Sequence, residues 1–204
     1  MSAFQKPFAV ILAAGTSSRM SYPKGHLTVN GAPAAIHQAH ALLTVCERVI
    51  IVAGWNTHAL LPYSGPNIKV IPSARWWAEE PIESIRHGLR ALPDGEVLIL
   101  PVDAPVPSPT TLRKIAQSPG TVVPTHGGKA GHPVKLATDL RERVLTQPTS
   151  TGLRNFLTHA EHIEVPDPAV LLNLNTPSAW AHWLRIHSTK EELSAIPKTK
   201  GTER

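Results

Sequence analysis

Phe8-Ala-Val-Ile-Leu-Ala13, continuing into Ala14-Gly15-Thr16-Ser17-Ser18-Arg19, is the stretch on which the reading of the fold turns. Its first six residues are apolar without alternation, the pattern of a strand buried on both faces. At Gly15 the character changes. Thr16, Ser17 and Ser18 are small and polar. A glycine lets the backbone bend close to a ligand, so that neighbouring amide N–H groups can turn toward an anion. Arg19 and Lys24 bracket the far side with two positive charges. A buried strand, a small-residue loop and paired cations suit a phosphate group. The alternative is an ordinary strand–turn–helix junction whose hydroxyls cap a helix. Neither G-x-x-x-x-G-K-[ST] nor G-x-G-x-x-G is present, so the residues alone leave both readings open.

Working outward, buried strands are predicted at Arg48–Gly54, Asn67–Pro72 and Glu96–Pro101, with a shorter one at Thr121–Pro124. Helices are predicted from Pro33 to about Thr44, through Ile85, Leu89 and Leu92, and at Pro109–Gln117, Asp139–Leu145 and Gly152–Leu157. A last one runs from Thr176-Pro177 to about Ile186. Strands alternating with helices imply a doubly wound, mostly parallel sheet with helices on both faces. In such a sheet the ligand crevice lies outside the carboxyl ends of the strands. The Gly15 loop and Asp103, which follows the apolar strand Val97–Leu100, both belong there. Asp103 as a cap for the helix after Ser108 is the weaker alternative, because Pro105 and Pro107 intervene.

Other candidates have two readings each. Ser84 opens the helix predicted through Ile85, Leu89 and Leu92, where it can cap the helix or meet a nucleotide. Trp76 and Trp77 can stack on a base or pack on the sheet edge. Gly127-Gly-Lys-Ala-Gly-His132-Pro133 is a glycine-rich loop whose histidine either meets an anionic ligand or simply turns the chain. Leu172-Asn173-Leu174-Asn175 alternates like a strand and would put both asparagines on one face. His37 and His40 share a predicted helix face, but no further ligands announce themselves, so they read as surface or core-edge residues.

The 204 residues, 42% hydrophobic, suit one globular domain, expected at 1–187 with a polar tail at 188–204. No apolar run approaches the roughly 18 residues that span a bilayer. The N-terminus reads as no signal peptide, and the single Cys46 reads as core in a reducing cytoplasm. The net charge of +5 is spread along the chain with no basic stripe between aromatics, so neither nucleic acid nor membrane is the expected partner.

Leu12-Ala-Ala-Gly-Thr-Ser-Ser-Arg-Met20, followed by Pro23-Lys24, resembles the opening signature of the MobA-like nucleotidyltransferases, with Ser21 where that family usually has glycine. Asp103-Ala-Pro105 resembles the family's magnesium-binding aspartate. Asn173-Leu-Asn175-Thr-Pro177 resembles its guanylyltransferase branch, and Gly131-His132-Pro133 its cytidylyltransferase branch. The resemblance implies a Rossmann-like fold of the nucleotide-diphospho-sugar transferase type. It implies transfer of a nucleoside monophosphate from an NTP to a phosphorylated small acceptor, such as a molybdopterin cofactor. Leu12, Ala13, Ala14, Gly15, Thr16, Ser17, Ser18 and Ser84 are then the nucleotide-binding residues, and Arg19, Lys24 and Asp103 the catalytic ones. His132 and Arg154 face the acceptor, and Asp103 and Asn175 hold Mg2+. CTP is expected over GTP, because the methyl of Ala14 would exclude a purine. A nucleotide-binding regulator without turnover and a sugar- or polyol-phosphate nucleotidyltransferase are the other readings.

Overall fold

The computed structural model describes residues 5–15, 24–29, 31–73, 80–147 and 152–187. The first strand, β1 (Phe8–Ala13), is followed by a 3-10 turn at Lys24–His26, a small hairpin of β2 (Thr28–Val29) and β3 (Ala32–Pro33), and α1 (Ala34–Leu42). Next come β4 (Val49–Ala53), β5 (Ile68–Pro72), α2 (Pro81–Arg90), β6 (Val97–Pro101) and α3 (Pro109–Gln117). The last third holds β7 (Val122–His126), β8 (Lys129–Ala130), β9 (Val134–Leu136), α4 (Thr138–Thr146), β10 (Glu161–Glu164) and α5 (Pro177–His187).

The main sheet runs β10-β7-β9-β6-β1-β4-β5, with β8 beside β7. β1 lies at its centre, parallel to β4 on one side and to β6 on the other. The chain winds outward from β1 through β4 to β5, then returns to place β6 on β1's free side. That reversal opens the crevice of a doubly wound sheet between β1 and β6. Only β9, wedged between β6 and β7, and the short β8 run antiparallel to their neighbours.

The unalternating sequence of β1 has the structural consequence expected of it. Ala9 and Ile11 face α1 and α3, among Ile36, Leu42, Leu112 and Ile115. Phe8, Val10 and Ala14 face α2 and α4, among Ile82, Ile85, Leu89, Leu140 and Val144. Contact on the second face is close at Gly88, where a Cβ would stand 2.4 Å from Val10 Cγ1. Glycine is required there by the neighbour rather than by its own backbone.

Two arginines lock α2 to α4 reciprocally. Arg86 of α2 donates from Nε to the Val144 carbonyl at 2.8 Å and from Nη2 to that of Gln147, at the end of α4. Arg141 of α4 donates from Nη2 to the carbonyls of Leu89 and Leu92, at 3.0 and 3.1 Å, at the end of α2. Each thereby ties its own helix to backbone carbonyls at the C-terminal end of the other. α3 starts with Pro109 at its first position, capped by the Ser108 hydroxyl, which accepts from the Thr111 amide.

Several expectations are corrected. The glycine-rich segment after His126 is not only a loop, since it forms β8 and enters β9. Neither these two- and three-residue strands nor β10, in which only Ile163 is buried, carries a run long enough to show in the sequence. Asn173–Asn175 forms no strand among the described residues. The segment at Gly152–Leu157 is a short 3-10 turn, Leu153–Phe156. The tail at 188–204 lies outside the described residues, as do Trp76 and Trp77. Cys46 is buried in the α1-side core, and burial pushes its thiol up to about 12. No helix among the described residues is long and apolar enough to cross a membrane.

Candidate functional site

Three segments far apart in sequence meet where β1 and β6 end. The Val102 amide donates to the Leu12 carbonyl at 3.0 Å, so the ends of the two strands are tied together one residue past β6. Gly25 then packs beside β1, where a Cβ would lie 3.2 Å from Ala13 Cβ, and this close approach sets the 3-10 turn that begins with Lys24. The Lys24 ammonium donates to Asp103 Oδ2 at 2.8 Å and to Asn175 Oδ1 at 2.5 Å.

Asn175 reaches this point because Leu174 is anchored on either side. Its amide donates to the Asp103 carbonyl at 2.7 Å, and its side chain packs with Val29, Ala34, Trp180 and Leu184. The helix α5 thereby presses the asparagine segment onto the end of β6. Asn173, expected on the same face, is exposed and is not part of the group. The reason is that the segment turns instead of pleating, with the Asn175 amide donating back to the Asn173 carbonyl at 3.0 Å.

His132 stands close enough to feel the Asp103 carboxylate. Burial pushes its imidazole below the ordinary histidine range, against the opposing pull of Asp103. Its backbone amide donates to the Val170 carbonyl at 2.8 Å, and its Nδ1 is buried with no hydrogen-bond partner. Gly131 beside it is held so closely that a Cβ would stand 2.3 Å from the Val170 carbonyl oxygen.

The remaining candidates are placed less centrally. Gly15 is exposed, with nothing among the described residues within 4 Å of where a Cβ would stand, while Thr16, Ser17, Ser18 and Arg19 lie outside the described residues. Leu12 and Ala13 are half-buried at the end of β1. Ala14 is 3% exposed and packs in the α2-side core, because alternation along β1 puts it on the same face as Val10. Its methyl is therefore not aimed into the open crevice. Ser84 does not open its helix: α2 starts at Pro81, with Glu80 at the cap position, and Ser84 is buried one turn in. Arg154 is exposed on the Leu153–Phe156 turn, which packs on the α2-side core, and no hydrogen bond or ion pair joins it to the Lys24 group.

One residue was not singled out from the sequence. Gln38 of α1 is buried, and its Nε2 donates to the carbonyls of both Val102 and Ala104. Its only sequence signal is a polar residue on an otherwise apolar helix face.

Chemically, the group offers a carboxylate and an amide oxygen converging on a positive charge. Oxygen-only donors of this kind fit a hard divalent cation, which typically takes one or two carboxylates plus substrate phosphates. The ammonium of Lys24 already lies where the two oxygens point. Among the described residues no cluster of three or more His, Cys, Asp or Glu side chains is present.

Known proteins share this arrangement of elements. The sequence model of the MobA-like NTP transferase domain matches residues 9–165. The molybdenum cofactor cytidylyltransferase of Escherichia coli K12 is 26% identical over 174 residues, covering 82% of this chain and 90% of that one. A probable molybdenum cofactor guanylyltransferase of Nostoc sp. PCC 7120 is 28% identical, over 93% of this chain and 94% of its own. Among solved structures, Rv0371c of Mycobacterium tuberculosis H37Rv, in complex with manganese, superposes with a TM-score of 0.69 at 19% identity, covering 89% of this chain and 99% of that one. With the family match spanning β1 to the end of β10 and the sheet winding as it does, the chain belongs to the MobA-like NTP transferase domain family and is a nucleotidyltransferase.

Proposed function

We propose that the enzyme moves a nucleoside monophosphate from an NTP, CTP in preference to GTP, onto a phosphorylated small acceptor of the molybdopterin kind, with magnesium and in the cytoplasm. The observation that carries this reading is the meeting of Lys24, Asp103 and Asn175 at the carboxyl ends of β1 and β6. An oxygen of the acceptor phosphate attacks the α-phosphorus in line. The bond from that phosphorus to the bridging oxygen breaks, and pyrophosphate leaves. The acceptor phosphate is ionised at neutral pH, so no general base is needed, and catalysis reduces to alignment and charge neutralisation.

The Leu12–Ser18 backbone and Ser84 hold the nucleotide, and Arg19 and Lys24 meet the negative charge of the transferring and leaving phosphates. His132 donates to the acceptor phosphate, and Arg154 extends the acceptor side. Asp103 and Asn175 are the residues that would hold magnesium, which when bound supplies further neutralisation of phosphate charge.

The preference for CTP is supported by the Escherichia coli relative and by Gly131-His132-Pro133. The Nostoc relative and Asn173-Leu-Asn175 lean toward GTP. Pyrophosphate release from CTP, GTP, ATP and UTP, each with a panel of phosphorylated acceptors, tests the whole reading. Release from CTP with a molybdopterin acceptor is expected. Faster release from GTP would overturn the base preference. No release with any pair would overturn turnover itself.

A further inference from the structure

We propose that Gln38 is a positioning residue that aims the Asp103 carboxylate, an inference resting on the reading of Asp103 as a metal-holding group. Asp103 sits in a turn past β6 whose three consecutive carbonyls are all held. The Gln38 Nε2 amide hydrogens go to Val102 at 3.1 Å and Ala104 at 2.7 Å, one residue to each side of Asp103. The carbonyl of Asp103 itself accepts from the Leu174 amide at 2.7 Å. The turn is thus gripped from α1 through a side chain and from the asparagine segment through the backbone. Rotation of the Asp103 backbone, and with it the direction of the carboxylate, requires breaking at least one of these bonds.

The orientation of the Gln38 amide follows from its surroundings. Reversing it would put Oε1 against two carbonyl oxygens, so the NH2 must face Val102 and Ala104. The opposite atom, Oε1, is buried with no partner, and Gln38 is only 5% exposed. Gln38 and Trp180 of α5 line the same small cavity of about 40 Å³, and Trp180 Nε1 is likewise buried without a partner. Groups that orient a metal ligand commonly change affinity ten- to a hundredfold when removed.

The test is a titration of the full-length protein with Mn2+, free ion being read by electron paramagnetic resonance, in parallel series with saturating CTP and saturating GTP. Gln38→Met keeps the side-chain volume and removes both donors. It is expected to bind the same number of Mn2+ ions as wild type, with a dissociation constant raised ten- to a hundredfold. Gln38→Asn keeps an amide but draws it back by one methylene, and the same shift is expected. A purely structural role gives fewer sites at an unchanged dissociation constant, or loss of folding in both variants, and either overturns the inference. Asp103→Asn separates the two layers. If it abolishes the site while Gln38→Met leaves the constant unchanged, this inference fails alone. If Asp103→Asn itself leaves Mn2+ binding intact, the metal reading of Asp103 fails and takes the inference with it.

Discussion

Two of the cations that this protein takes out of water are held in opposite ways. Arg141, between α4 and the end of α2, is 2% exposed and divides its two Nη nitrogens among the Leu89 and Leu92 carbonyls and the carboxylates of Asp94 and Glu142. The planar guanidinium fits those fixed acceptors, and nothing about the arrangement invites exchange. Lys24 lies in the crevice with its side chain 12% exposed, and its Asp103 partner is 21% exposed. A single ammonium on a flexible stem holds an acid and an amide brought together from distant segments. The first cation finishes a fold. The second marks a place where oxygens converge on charge and where another cation or an anion can arrive.

Four predictions press on this contrast. Lys24→Ala is expected to lower kcat by roughly 10²- to 10³-fold, the range for losing a charge that acts in the transition state, with the melting temperature nearly unchanged. Near-normal kcat would place Lys24 with Arg141, as a structural cation. Arg141→Ala should do the reverse. The Leu89 and Leu92 carbonyls each lose the Arg141 donor, the Leu89 carbonyl keeping only the Leu92 amide, and urea unfolding should show a loss of about 2 kcal/mol, with activity per folded molecule intact. Asp94 is 90% exposed and returns to water at little cost, so the loss should track the carbonyls and not the ion pair.

Asn175→Asp adds a carboxylate beside Asp103 and should tighten divalent-metal binding by about tenfold, read by calorimetric titration. Unchanged metal affinity would remove Asn175 from the cation-binding group. The smallest effect concerns Cys46. Its buried thiol, pushed up to about 12, stays protonated throughout the neutral range. A thiol reagent at pH 8 should leave it unlabelled in the native protein and label it fully in urea. Rapid native labelling would mean that the α1-side core opens more readily than its burial implies.

The sequence by itself determined the strands that make the centre of the sheet. Phe8–Ala13 is apolar on both faces because both faces are covered, and such a run needs no partner in view to be recognised. Asp103 could be named because a carboxylate directly after a buried strand is conspicuous, Lys24 because it brackets a small-residue loop, and Asn175 through the family resemblance of Asn173-Leu-Asn175-Thr-Pro177. Their meeting was decided by tertiary structure. It depends on the return of β6 to the free side of β1 and on Leu174 being pulled to Asp103 by the packing of α5, both of them contacts over long sequence separations.

The same limit applies to residues that pattern alone does not place. Ala14 packs in the α2-side core, because which face a residue takes is settled by the register of the neighbouring strands and helices. β9 is three residues long, and its place between β6 and β7 comes from the pairs it makes rather than from any pattern it carries. Gln38 is one polar letter in an apolar helix, and only the fold brings the carbonyls around Asp103 within its reach. Local patterns determine what an element is. Which groups it meets is decided by packing, because burial and hydrogen bonding are satisfied across the whole chain at once.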